Sequence, residues 1–255
     1  IGDIVGRPGR RTVKNVIEEL IFKYNVDFII ANGENSAGGA GITKNVAEEL
    51  FDYKIDCLTM GNHTWDNKEI FDFIEEETRI VRPANYPPET PGRGYIILDK
   101  NDIKIGIINL LGRVFLPPLN CPFQEVKTIL KKIKDEADII IVDFHAEATS
   151  EKMAMGWFLD GKVSAVLGTH THVQTADERI LPRGTGYITD VGMTGPVNSV
   201  LGVRHELVVN KFITQLPTRF KVASGDTMFN GAIIETNIKD GKANRIIRIN
   251  FQIDN

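Results

Sequence analysis

Cysteine is scarce in this chain: 255 residues contain two, Cys57 and Cys121, far apart and outside any C-x-x-C pair. That excludes a disulfide framework and a cysteine-based zinc knuckle, and it makes a reducing cytoplasm the expected location. Long apolar runs are missing as well. Stretches such as ADIIIV and DFIIA stop far short of the roughly 18 residues that a membrane-spanning helix needs, so no membrane association is expected. No signal peptide is visible; the chain opens on Ile-Gly-Asp as if inside a strand, and a short preceding segment is expected. Charge of one sign is not in excess, because 30 basic against 34 acidic residues leave only −4. A stable nucleic-acid partner is therefore not expected, although a local cluster of metal ions could still hold a small anion. The glycines at 38, 39 and 41 lack G-x-x-x-x-G-K-[ST] spacing, which leaves them a backbone role rather than a phosphate-binding one. No G-x-S-x-G elbow is present, and neither cysteine has a base beside it in sequence, so nucleophilic serine or cysteine catalysis is a weak rival.

What is present is an alternation of strand-like and helix-like segments, the pattern of a layered α/β fold. The spacing predicts helices over 10–24, 43–53 (opened by Thr43), 68–77, 123–137 and 150–160. It predicts strands at 27–31, 57–60, 138–144 and 163–168, and a hairpin of YIILD and IKIGIINLLG turning at Lys100-Asn101-Asp102. The proline-rich stretch 81–94 reads as a loop. The last sixty or so residues lean towards β, with GAIIETN and RIIRINFQI paired around KDGKAN. There is no internal repeat, low-complexity tract or linker, so residues 1–255 are expected to form one domain.

The reactive residues sit where these strands end. Asp3 follows the opening strand, Glu34-Asn35 follow DFIIANG, Asn62-His63 follow CLTMG, His145 follows DIIIVDF, and His170 and His172 follow VSAVLGT. Ligands of open α/β sheets bind beyond the carboxyl ends of the strands, so these residues should converge. Four of the five histidines are in this set, and His205, in a helical stretch, is the exception. Imidazole and carboxylate donors suit manganese, iron or zinc better than magnesium or calcium. Two such ions can activate a shared hydroxide and clamp a phosphate, while a histidine outside the ligand set protonates the leaving oxygen. Each residue also has a plain reading: Asp3 as a turn or cap, Asn35 and Asn62 as turn residues, His145 as a satisfied buried histidine. Their alignment on five strand ends favours the metal reading.

GNH at 61–63 and GTHTH at 168–172 resemble blocks of the calcineurin-like metallophosphoesterases. GDIVGRPGR, NGENSAGGAGIT, GNHTWDN, FHAEATSEK, GTHTHVQTAD and DVGMTGP, in that order, resemble the bacterial YmdB-like phosphodiesterase family along almost the whole chain. Two departures from the wider superfamily stand out. The usual D-x-H opening lacks its histidine here, since Ile4-Val5 follow Asp3, and Glu34 stands where most members bridge their metals with aspartate.

The resemblance implies a four-layer α/β/β/α sandwich and a dinuclear centre of divalent or mixed-valence ions, iron or manganese foremost and zinc compatible. One ion would be held by Asp3, Glu34, Asn35 and His172, the other by Glu34, Asn62, His145 and His170, with Glu34 bridging and His63 donating the proton. The implied activity is hydrolysis of cyclic nucleotides, 2′,3′-cyclic nucleotides first and 3′,5′-cAMP second, by a hydroxide shared between the metals. The alternatives are a phosphomonoesterase, such as a nucleotidase or protein phosphatase, and a cyclic-nucleotide sensor without turnover. A homo-oligomer is compatible with the sequence.

Overall fold

The computed structural model describes residues 1–254. Its first half runs β1 (Asp3–Ile4), α1 (Gly6–Tyr24), β2 (Ile30–Asn32), α2 (Lys44–Asp52), β3 (Cys57–Thr59) and β4 (Ile80–Val81). The hairpin β5 (Tyr95–Lys100) and β6 (Ile103–Leu111) follows, then α3 (Pro122–Ile133), β7 (Ile139–His145), α4 (Thr149–Leu159) and β8 (Ala165–Thr169). The remainder is β9 (Arg179–Ile180), β10 (Gly186–Ile188), β11 (Met193–Pro196), α5 (His205–Thr214), β12 (Thr227–Thr236) and β13 (Ala243–Ile253).

Three hydrogen-bonded ladders form: β1-β11-β12-β13, β2-β3-β4, and the six-stranded β5-β6-β7-β8-β10-β9. The first two join through Ile1, whose nitrogen donates to the Ile30 carbonyl (2.7 Å) and whose carbonyl accepts from Asn32 N (3.2 Å). In the six-stranded sheet β6, β7, β8 and β10 run parallel, with antiparallel β5 and β9 at the edges. Parallel strands need both faces covered, and the apolar clusters meet that need. Val13, Val16 and Ile17 of α1 and Ala47 and Leu50 of α2 pack on Ile29, Ala31, Leu58 and Phe229. Val126, Ile129 and Ile133 of α3 and Met155 and Leu159 of α4 pack on Ile108, Leu110, Val142 and Val166. A third cluster, Cys57, Val81, Ile96, Ile105 and Ile107, joins residues of both sheets.

Local chemistry explains most boundaries. Thr43 caps α2 by accepting from Val46 N, a contact worth about 1 kcal/mol. Asn101 and Asp102 both take positive φ, 57° and 64°, the conformation of a two-residue hairpin turn that Asn and Asp tolerate best. Helix α1 starts at Gly6 rather than Arg10: proline in a first turn removes only an N–H that has no helical partner anyway. The 68–77 helix is shorter than expected and is 3-10 in form over Lys68–Asp72, because Asp72, Glu75 and Glu76 would stack like charges on one helical face. The strand expected over 27–31 is confined to Ile30–Asn32. The short strands β4, β9, β10 and β11 carry no clear period and were not expected from the pattern. Among the described residues, no helix is long and apolar enough to cross a membrane, and both cysteines are free.

Candidate metal centre

Register alone aligns Leu111, His145 and Thr169 at the carboxyl end of the six-stranded sheet. Asp3 on β1, Glu34-Asn35 after β2 and Asn62-His63 after β3 close on the same place. His145 Nε2 lies 2.9 Å from Glu34 Oε1, 3.0 Å from Asn62 Oδ1 and 3.0 Å from His170 Nδ1. One ring nitrogen carries one proton or one lone pair and cannot satisfy all three. Beside this group, His172 Nε2 is 3.2 Å from Asn35 Oδ1 and 3.9 Å from Asp3 Oδ1. Asp3 Oδ1 is also 3.9 Å from His145 Nδ1, which ties the two groups together. The structure thus brings together all seven residues expected as metal donors.

Two buried oxygens in this cluster are poorly met by protein donors: Asp3 Oδ1 makes no hydrogen bond, and Glu34 Oε1 has only the His145 imidazole, at 2.9 Å. A buried carboxylate oxygen left without a donor costs folding energy unless a cation meets it. Glu34, His145 and His170 alone offer three ligand atoms within 4.8 Å of one another. The donor set therefore fits a metal ion.

The protonation states follow from burial and neighbours. Burial alone would raise Glu34, but the His145 imidazole beside it brings its carboxyl down to about 2. Burial would lower His145, yet Glu34, Asp3 and Asp143 hold it up at about 9. Burial raises Asp3 to about 6 against the pull of His172 and His145. Burial and the charge on His145 press His170 down to about 3. A proton on His145 thus meets the negative charge of Glu34.

The orientation of His145 is set from behind. The Thr169 hydroxyl donates to Asp143 Oδ1 (2.6 Å), so its oxygen accepts from His145 Nδ1–H (2.9 Å). In the neutral ring the lone pair is then on Nε2, the atom that faces Glu34, Asn62 and His170. Asp143 also accepts from Thr59 Oγ1 (2.5 Å) and Asn32 Nδ2 (3.2 Å). Asp143 and Thr169 were missed in the sequence, though an aspartate two residues before His145 on an apolar strand was the available signal: alternation puts both on one face.

His63 differs from the other three. Its backbone N donates to Glu34 Oε2 (2.8 Å), while its Nδ1 pairs with Asp66 Oδ2 (2.7 Å). Nε2 has no protein partner among the described residues, and the side chain is 37% exposed. Gly61 makes the close approach feasible: a Cβ there would stand 2.4 Å from both Glu34 Oε2 and His145 Nε2. His205 takes no part; its Nδ1 is 3.9 Å from Glu206 on α5.

A family model described as YmdB-like protein matches residues 1–249. The chain belongs to the YmdB-like protein family. It is 51% identical over 249 residues to the 2′,3′-cyclic-nucleotide 2′-phosphodiesterase of Bacillus subtilis, covering 98% of this chain and 94% of that protein. The crystal structure of a novel phosphatase from Mycoplasma pneumoniae superposes with a TM-score of 0.94 at 38% identity, over 99% of this chain and 92% of the other. A putative 5′-nucleotidase from Staphylococcus aureus shares the fold alone, with a TM-score of 0.54 at 19% identity over 71% of this chain and 42% of that one. The mixed α/β architecture is thus one shared with nucleotidase-type folds, and the motif order noted above belongs to the YmdB-like family.

Proposed function

We propose that this chain is a metal-dependent phosphoric diester hydrolase that opens 2′,3′-cyclic nucleotides at the bond to the ribose 2′ oxygen, leaving the 3′-monophosphate. The observation that carries this reading is the convergence on His145 Nε2 of Glu34, Asn62 and His170 donor atoms, all within 3.0 Å. The half-length relationship to nucleotidase folds adds only architecture; the substrate class comes from the relative at 51% identity. Activity on 3′,5′-cAMP is a narrower extension of the same reading.

On this reading one ion would be held by Asp3, Glu34, Asn35 and His172 and a second by Glu34, Asn62, His145 and His170, with Glu34 serving both. Bound ions would supply Lewis acidity, lowering the pKa of water and neutralising charge on phosphate oxygens. Mixed nitrogen and oxygen donors favour iron or manganese, with zinc compatible. The chain's own residues do the rest. Asp66 accepts from His63 Nδ1–H and so fixes the ring; as the imidazolium, which the Asp66 carboxylate favours, the ring would also carry a proton on Nε2 and give it to the departing 2′ oxygen, returning to the neutral Nδ1–H form. Thr169 and Asp143 hold the His145 lone pair toward the site. Three core clusters, one under each helix pair and one joining the sheets, support a four-layer α/β/β/α order within a single domain spanning 1–255. Two free cysteines fit a cytoplasmic enzyme.

The test is metal analysis of protein purified without added metal, paired with a panel of 2′,3′-cyclic nucleotides, 3′,5′-cAMP, bis(p-nitrophenyl) phosphate and p-nitrophenyl phosphate. The expected result is bound iron or manganese and turnover of the cyclic diesters ahead of the monoester. Preference for p-nitrophenyl phosphate would instead favour a phosphomonoesterase, and cyclic nucleotide recovered unchanged in the presence of metal would favour a sensor.

A further inference from the structure

His170 and His172 both have positive φ, 99° and 65°. Residues other than glycine rarely occupy such conformations, and they persist there only where surrounding structure over-determines them. The residue between them shows how. Thr171 turns both its backbone N (3.1 Å) and its hydroxyl (2.7 Å) onto one atom, Asp190 Oδ2. Asp190 is fully buried, and its other oxygen accepts from Gly192 N (2.8 Å). The same Oδ2 accepts from Lys152 Nζ on α4 at 2.5 Å, with both side chains 1% exposed. The strand end is fastened as well: Val191 N donates to the Gly168 carbonyl (2.8 Å), an approach so close that a Cβ on Gly168 would stand 1.7 Å from the Thr189 carbonyl oxygen.

A buried ion pair adds little to stability over apolar side chains of the same volume, so its presence asks for another role. This one is placed directly beneath the turn that carries two of the site's histidines. It also joins two residues that the donor set leaves unused, Lys152 of FHAEATSEK and Asp190 of DVGMTGP.

We propose that Asp190, anchored by Lys152, is a positioning residue that holds Thr171 and thereby fixes the separation and aim of the His170 and His172 imidazoles. The inference rests on the reading of those two histidines as metal donors. Removing the clamp leaves every donor in the chain yet lets the turn relax, so metal affinity falls while the fold persists. Outer contacts that orient ligands commonly govern about 10- to 100-fold in affinity.

Thr171→Val, Thr171→Ser and Asp190→Asn would be compared with the unaltered protein by Mn²⁺ titration followed by electron paramagnetic resonance, with thermal unfolding of the metal-free forms alongside. Thr171→Val keeps volume and backbone and removes only the hydroxyl, so it stands even where Asp190→Asn fails to fold. The expected result is Mn²⁺ binding weakened about 10- to 100-fold with an altered spectrum in Thr171→Val and Asp190→Asn, and near-normal binding in Thr171→Ser. Unchanged affinity and spectrum in Thr171→Val would overturn the clamp while leaving the metal reading intact. An unaltered protein that binds no Mn²⁺, Fe²⁺ or Zn²⁺ would remove the metal reading itself, and the clamp with it.

Discussion

His145 Nε2 sits 2.9 Å from Glu34 Oε1, in a pair where neither side chain is more than 1% exposed. The two residues come from different sheets and are held from opposite sides: Thr169 grips the imidazole at Nδ1, and His63 N grips the carboxylate at Oε2. Burying such a pair is unfavourable unless each charge is met. Here the Glu34 charge is met by the His145 imidazole, at the position where the proposed metal would bind.

Proton and metal should compete for this position. His145 is held at about 9 against an ordinary 6.5, so the stability it contributes is complete below 6.5 and is lost as pH rises through 9. Glu34, lowered from 4.5 to about 2, contributes stability above 4.5 that is lost as pH falls through 2. Metal uptake runs the other way at His145, because the ring must lose its proton to become a ligand. Between pH 7 and 8.5 the metal-free protein should release about one proton from His145 on loading, and affinity should climb about tenfold per pH unit. Calorimetric titration in buffers of different ionisation enthalpy measures that proton, and a release of zero would contradict the assignment.

Glu34→Gln removes the charge common to both groups of donors. The expected outcome is loss of bound metal and of hydrolysis, together with a fall in the His145 pKa that imidazole NMR resonances report. Normal turnover by a metal-replete Glu34→Gln protein would defeat the bridging role.

His63→Ala should leave metal content untouched and lower kcat on a 2′,3′-cyclic nucleotide by about 10²- to 10⁴-fold, the usual contribution of a general acid. The loss should be much smaller on bis(p-nitrophenyl) phosphate, whose leaving group departs without a proton. Asp66→Asn should show a weaker version of the same pattern, since it removes the charge that steadies Nδ1. Equal losses on both substrates would point to a binding role instead.

Gly61→Ala places a methyl group 2.4 Å from Glu34 Oε2 and His145 Nε2. Overpacking of this kind costs about 1–3 kcal/mol and shifts the groups it strikes. Metal content should fall sharply with only a modest drop in melting temperature; full metal occupancy in Gly61→Ala would show that the donors have more room than their distances allow.

The sequence by itself determined the α/β alternation, the Thr43 cap and the hairpin at Asn101-Asp102. It also placed the reactive side chains at strand ends, since these depend on period, propensity and turn chemistry that act over a few residues. It could suggest convergence only because parallel sheets bring their carboxyl ends to one edge. The like charges at Asp72, Glu75 and Glu76 that shorten the 68–77 helix were also legible locally, whereas the two-residue strands β4 and β9 were decided by pairing that no local window contains. Tertiary structure alone decided what stands behind the donors. Asp143 reaches His145 through a threonine 26 residues away, and Asp190 meets Thr171 and Lys152 across 19 and 38 residues. These contacts join separate strands and helices, and a hydrogen bond between them exists only once the sheets have closed.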